Sequence, residues 1–311
     1  MKPHNLERYR AAEKRLWDHY HVRPVEHFVQ LPKFGIKVRV LEIGEGDPVL
    51  FVHGNPNAGP KWTPLAARLS DFRCLVLDRP GCGLSEPVDY QSIDLREFGA
   101  ELIDQVLDGL ELPRADLVAS SIGGALAFYF SHAHPERVIH LVQEGCPAFI
   151  PGFHVPFYNV VSSALNMAFG WSPPSREGFR HLGHASQIDR KRFEMEVLTW
   201  RDALLKYTDT ARNENGLNMN VTARSSQYAC DKDFLGEIKT PTLYLWGIDD
   251  PFGGAYTAVF CANYQPNALL YTFPGSGHLP WLDDAQAHAN LVRTFLRGGE
   301  MPPSERTFYI D

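Results

Sequence analysis

Two adjacent serines, Ser120 and Ser121, stand where an apolar run, Leu117-Val118-Ala119, meets a small-residue stretch, Ile122-Gly123-Gly124-Ala125. A strand that turns sharply into a helix at a serine presents the hydroxyl on a strained turn, the pattern written G-x-S-x-G. Such strain, about 1–3 kcal/mol, persists only where the surroundings impose it. Strand and helix approach closely there, so the residues two before and two after the serine must be small. Ser121 is flanked by Ala119 and Gly123; Ser120 is flanked by Val118 and Ile122, whose β-branched side chains would clash. Ser121 is therefore the candidate nucleophile. Ala119 replaces the usual glycine and adds one methyl group to be accommodated.

A serine hydroxyl is a poor nucleophile without an adjacent base, and the base needs a carboxylate to orient it. His278 follows the last expected strand in Gly275-Ser276-Gly277-His278 and is the candidate base. His132 and His134 end the elbow helix and read as solvated. Three carboxylates are candidates for the acid: Asp250, its neighbour Asp249, and Glu144 after the strand expected over 137–143. An oxyanion needs aimed donors. The candidates are the backbone N–H of Ile122, where a helix start adds positive potential, and that of Asn55, after the strand ending at Val52.

Strands are expected over 26–31, 37–43, 49–52, 73–77, 115–119, 137–143, 240–246 and 268–273. Helices are expected over 62–69, 95–110, 123–132 and 285–297. The alternation argues a mostly parallel, doubly wound sheet. It stops over 147–238, where helix and loop patterns appear without a convincing strand. Residues 5–20 read as an amphipathic helix lying outside the core. The tail, 299–311, has little periodicity and reads as loosely attached.

The chain has 311 residues, 44% of them hydrophobic, and a net charge of −7. That is enough for one large core or a core with an insertion. The charge gives no sign of a nucleic-acid or acidic-membrane partner. Five scattered cysteines without a C-x-x-C pair suit a reduced, cytoplasmic setting. The charged N-terminus does not read as a signal peptide, and no apolar run approaches the ~20 residues of a membrane helix. Asn220-Val221-Thr222 is therefore discounted as a glycosylation site.

Four motifs in order, His53-Gly54-Asn55-Pro56, the glycine loop Asp78 to Ser85, the Ser121 elbow and Gly275 to His278, make residues 26–297 resemble an α/β-hydrolase with a helical cap. The resemblance implies an α/β fold, a doubly wound mostly parallel sheet with an inserted helical cap. It divides the chain into an N-terminal helical extension (1–25), a core (26–146 and 239–298), a cap (147–238) and a tail (299–311). It implies a triad of Ser121, Asp250 and His278, with Asp250 in the family's G-x-x-D slot. Glu144 occupies the other place from which some members supply the acid. It gives His53 a structural role. The HGNP loop is similar to haloalkane dehalogenases and, as H-G-x-P, to epoxide hydrolases. Those families place an aspartate at the elbow because their intermediate is an alkyl ester, and Ser121 cannot replace it. Carbon–carbon bond hydrolases of the meta-cleavage type keep the serine but typically carry Trp directly after the histidine. Here Leu279-Pro280-Trp281 follows, which counts against that branch.

The expected cap opens with Phe149, Ile150, Phe153, Val155, Phe157 and Tyr158. Most of these must serve cap packing, but an apolar lining over Ser121 suits a pocket. Phe149, Phe153 and Trp281 are the candidate substrate contacts. Arg176, Arg180, Arg190, Arg192 and Arg201 lie near Glu177, Asp189, Glu194, Glu196 and Asp202, which reads as a solvated, salt-bridged surface rather than a carboxylate clamp. His181 and His184 could sit a turn apart, but two ligands make a poor metal site, and both are expected to face solvent. No metal and no cofactor is expected. The expected activity is hydrolysis of a carboxylic ester with a small to medium apolar acyl group through an acyl-enzyme. The alternatives are meta-cleavage carbon–carbon bond hydrolysis, or a triad-bearing receptor that signals through its cap. The expected partner is a small apolar ester, with neither nucleic acid nor membrane; a homodimer is left open.

Overall fold

Short runs of Val, Leu, Ile and Phe bounded by glycine and proline favour strands buried on both faces. The computed structural model, which describes residues 1–146, 149–150 and 153–303, has eight. They are β1 (Val25–Leu31), β2 (Ile36–Ile43), β3 (Pro48–Val52), β4 (Arg73–Leu77), β5 (Ala115–Ser120), β6 (Val138–Glu144), β7 (Thr242–Gly247) and β8 (Ala268–Phe273). They form one sheet in the order β1-β2-β4-β3-β5-β6-β7-β8. β2 is antiparallel to both its neighbours; the remaining pairs are parallel. β5 is completely buried along its length, as is β7.

The longer helices are α1 (Pro3–His19), α2 (Leu95–Gly109), α3 (Ile122–Ala133), α4 (Phe157–Phe169), α5 (Met195–Tyr207), α6 (Thr210–Arg224), α7 (Gly254–Tyr264) and α8 (Ala285–Leu296). Two apolar layers cover the sheet. One packs α2, α3 and α7 residues such as Phe98, Phe128 and Val259 against Leu50, Leu75 and Leu117. The other packs α1 and α8 residues, Leu16 and Val292 among them, against Phe51, Val76 and Val118. The helix α7 falls between the elements expected from periodicity; its run of small and apolar residues has no clear polar face.

Between β6 and β7 the described residues form helices and loops. α4 has no fully buried residue, whereas α6 buries Leu217, Val221 and Glu214. Pro147, Ala148, Pro151 and Gly152, within the expected cap, and 304–311, within the expected tail, lie outside the described residues. Before them, the Pro302 carbonyl accepts a hydrogen bond from the Tyr271 hydroxyl.

The N-terminal helix does not lie outside the core as its charge suggests. Tyr9, Ala12 and Leu16 are buried, and so is Glu13. The buried face also carries an ion cluster. Glu13 Oε1 accepts from Arg39 Nη2 at 2.6 Å, and Arg39 Nε donates to Asp78 Oδ2 at 2.8 Å. Asp78 in turn accepts from the N–H groups of Gly59 (2.7 Å) and Leu84 (3.0 Å), so it ties together the loops that follow β3 and β4.

Candidate active site

β5 ends in the middle of the sheet, and Ser121 joins it to α3. Ser121 has φ 53° and ψ −131°, a conformation that a non-glycine residue holds only at a cost of about 1–3 kcal/mol. The small neighbours have a direct cause. A Cβ on Gly123 would stand 2.4 Å from the Val52 oxygen, and one on Gly54 would stand 2.4 Å from the Ser121 Cβ. The two serines diverge. Ser120 is buried, and its Oγ accepts from Lys61 Nζ at 2.9 Å. Ser121 is partly exposed and lines a cavity of about 480 Å³.

His278 lies in the loop after β8. Its Nδ1 is 2.9 Å from Asp250 Oδ2. The other oxygen of Asp250 accepts the Phe252 N–H at 2.8 Å. A carboxylate at Nδ1 assigns the proton there and leaves Nε2 as the acceptor. Asp249 points to solvent. Glu144 is buried at the end of β6, but its partner is His288, whose Nδ1 is 3.0 Å from Glu144 Oε1. Of the three candidate acids, Asp250 is the one that meets His278.

Asn55 and Ile122 line the cavity beside Ser121. Ile122 is the first residue of α3, so its N–H has no partner within the helix. His53 is buried; its Nδ1 is 2.7 Å from the Gly54 oxygen, and its Nε2 accepts the Arg79 N–H at 3.0 Å. Burial and the cationic Arg79 push its pKa well below the ordinary histidine value. It holds the loop in its neutral form.

Phe149 and Phe153 line the cavity, edge to face at 5.1 Å. Trp281 does not. It is fully buried and stacked on Trp62 at 4.1 Å, in the short turn that Pro280 starts. Phe252, unforeseen in the sequence, packs 4.4 Å from the His278 ring.

Two cations stand where none was expected. Lys61 and Arg201 both line a small hole of about 20 Å³ that also exposes Ser121, Asn57 and His278. Lys61 is 1% exposed, and no carboxylate among the described residues pairs with it. Burial, with Arg79 and Arg201 nearby, pushes its pKa well below that of an ordinary lysine. Arg201 is 8% exposed, donates to Ser175 Oγ at 3.2 Å and leaves its Nε unpartnered. Burial pushes its pKa down to about 10. The expected salt bridge fails for a geometric reason: consecutive helix residues do not face each other. Asp202 makes no ion pair with Arg201 among the described residues and accepts the Ser175 N–H at 2.7 Å. Arg180 does pair with an expected acid, Asp189. A lysine within Ala58-Gly59-Pro60-Lys61-Trp62, otherwise uncharged, was the sequence signal for Lys61.

The histidines of the cap also part company. His181 is exposed, stacked on Tyr158, with Glu177 3.2 Å away. His184 is fully buried rather than solvated. Among the described residues no group of three metal-ligating side chains occurs.

A hydroxyl on a strained turn, an imidazole acceptor and a buried carboxylate can move a proton off the serine and return it to a leaving group. The alpha/beta hydrolase family model matches residues 49–291. The chain belongs to that family, and it is a hydrolase. A 2-hydroxy-6-oxononadienedioate/2-hydroxy-6-oxononatrienedioate hydrolase from Cupriavidus pinatubonensis is 28% identical over 269 residues, 84% of this chain and 90% of that protein. A 2-hydroxymuconate semialdehyde hydrolase from Pseudomonas putida is 29% identical over 272 residues, 84% and 91% of the two chains. Among solved structures, naproxen esterase from Bacillus subtilis superposes with a TM-score of 0.77 at 19% identity, covering 95% of this chain and 99% of its own. A meta-cleavage product hydrolase from Pseudomonas fluorescens superposes at 0.66 and 20% identity, covering 88% and 97%. At such identities these two likenesses speak to the fold alone.

Proposed function

We propose that this hydrolase uses Ser121, His278 and Asp250 to cleave a carbon–carbon bond in a substrate that carries a carboxylate, a 2-hydroxy-6-oxo dienoic acid of the kind named for its relatives. The observation that carries the reading is Arg201. A buried guanidinium without a carboxylate partner is costly; this one has none among the described residues, and it borders the hole beside Ser121 and His278. An incoming carboxylate would supply the missing partner.

Ser121 Oγ adds to the oxo carbon as His278 Nε2 takes the proton. The developing oxyanion faces the N–H groups of Ile122 and Asn55. Collapse breaks the carbon–carbon bond. The departing carbon keeps the electron pair, which a conjugated keto acid can delocalise, and takes the proton from His278. Water then hydrolyses the acyl-enzyme. Asp250 keeps the imidazole in the required tautomer throughout.

The ester reading expected from the sequence rested on the cap arginines being paired and on the missing Trp after His278. The first support fails at Arg201. The second remains, and the mainly apolar walls suit an acyl chain, so esters form the other arm of the test. Wild type and Arg201→Met are assayed with 2-hydroxymuconate semialdehyde and with p-nitrophenyl esters from C2 to C12. We expect a higher kcat/KM for the dienoate, lowered about 10–100-fold by Arg201→Met, the effect of losing a charged hydrogen bond. Ester turnover should change little. Faster ester turnover, insensitive to Arg201, would return the ester assignment.

A further inference from the structure

Three consecutive N–H groups surround the candidate base, those of Gly277, His278 and Leu279. All three are bonded, and none to ordinary secondary structure. Gly277 N–H donates to Asp283 Oδ2 at 3.1 Å. His278 N–H donates to the Leu182 oxygen at 2.8 Å. Leu279 N–H donates to His184 Nε2 at 3.2 Å. His184 Nδ1 closes the set, 2.8 Å from the same Asp283 oxygen. Leu182 and His184 belong to the inserted segment between β6 and β7, so residues far from His278 in sequence fix the backbone on which it rides.

The middle residue of that segment reaches the loop of the acid as well. Gly183 has φ +87°, and a Cβ there would stand 2.2 Å from the Asp249 oxygen and 2.9 Å from the Gly277 Cα. A Cβ on Gly277 would meet the Leu182 oxygen at 2.3 Å. The segment is therefore wedged between the loop that carries Asp250 and the loop that carries His278. Only glycine permits that approach on either side. His184 is itself fixed: it is fully buried, with the rings of Phe179 and Phe193 5.6 and 5.1 Å away.

We propose that Leu182-Gly183-His184, locked by Asp283, is a clip that sets the distance between Asp250 and His278. His184 and Asp283 are positioning residues, a second histidine–carboxylate pair that never meets substrate. The chemistry of the pair suits the task. The Leu279 N–H needs an acceptor, and only a neutral imidazole protonated at Nδ1 offers one at Nε2 while donating to Asp283. The inference rests on the Ser121–His278–Asp250 reading and deepens it: the inserted segment both roofs the cavity and completes the geometry of the base.

The test uses the full chain with His184→Phe, which fills the space but offers neither bond. His184→Gln can donate to Asp283 and accept from Leu279. Each is measured for Tm, for kcat and KM with p-nitrophenyl butyrate, and for the rate of labelling by a fluorophosphonate. A misplacement of about 1 Å can cost a factor of ~100. We expect His184→Phe to lower kcat and the labelling rate about 10–100-fold with KM changed less than about twofold, and His184→Gln to recover most of both. Should His184→Phe fail to fold, His184→Asn, too short to reach both partners, takes its place with the same expectation. Labelling and kcat within about twofold of wild type in a folded variant that lacks the bonds would overturn the clip. So would a loss in His184→Gln as large as in His184→Phe. Wild type that resists the fluorophosphonate altogether would instead overturn the nucleophile assignment beneath it.

Discussion

At the scale of single residues, three buried carboxylates around the site each meet a histidine. His278 takes Asp250, His288 takes Glu144, and His184 takes Asp283. The consequence for the acid is direct. Asp250→Asn should lower kcat by up to the ~10⁴ that follows amidation of a triad aspartate, while Glu144→Gln should mainly affect stability. Assays of both with p-nitrophenyl butyrate, beside their Tm values, give the ranking; the reverse order would place the working acid on β6. Lys61 makes a prediction about pH. Its pKa is pushed down by burial and then by Arg79 and Arg201, whereas in the unfolded chain it is about 10.4. The unfolded chain thus binds the proton more tightly. The stability linked to this site is complete above about 10.4 and is lost as pH falls through the lower folded value. Lys61→Met should raise Tm at pH 7 and raise it less at pH 10. A Tm lowered equally at both would show that the bond to Ser120 and the Trp62 and Trp281 rings, 5.1 and 5.0 Å from the ammonium, outweigh burial.

At the scale of elements, α6 is bound to the core along its length by side chains. Thr210 Oγ1 accepts the Gly83 N–H at 3.0 Å, Asn213 donates to the Gly81 oxygen at 2.8 Å, and Asn220 donates to the Tyr90 oxygen at 2.6 Å. Asn55, on the candidate oxyanion loop, donates to Asn218 at 2.6 Å. The strongest tie is ionic. Glu214 Oε2 accepts from Arg79 Nη2 at 2.7 Å, and the same guanidinium donates through Nε to the His53 oxygen at 2.8 Å. Glu214→Leu would leave Arg79 buried without its carboxylate. Removing one member of a buried pair costs about 3–5 kcal/mol. Hydrogen exchange over 210–224 and over 53–57 should rise together in that variant. Protection that survives at both places would show that the amide contacts alone hold α6.

At the scale of the whole molecule, the N-terminal helix is part of the core's support. Deleting residues 1–22 removes Glu13 from the Arg39–Asp78 cluster and uncovers the surface that Tyr9, Ala12 and Leu16 protect. Thermal melts should show a lower Tm, while fluorophosphonate labelling of the folded fraction persists; an unchanged Tm would make the helix a mere appendage. Among the described residues no helix is long and apolar enough to cross a membrane.

The sequence by itself determined the strands, their mostly parallel sheet and the elbow. Local rules suffice there: buried strands read as continuous apolar runs, and Ala119 and Gly123 could flank only Ser121. It also determined where His278 stands, since glycines mark a loop after a strand whatever packs on it. It left Asp250, Asp249 and Glu144 open, because each follows a strand and only pairing across the sheet shows which carboxylate meets which ring. Tertiary structure alone decided the charges. Arg201 beside Asp202 looks neutralised in the sequence, but successive residues on a helix do not face each other: both reach Ser175, Arg201 at its hydroxyl and Asp202 at its N–H, and Arg201 also borders the cavity. His184 looked solvated for the same reason: nothing within 20 residues of it announces Asp283 or Leu279, and burial of a lone histidine follows from what the chain brings to it later.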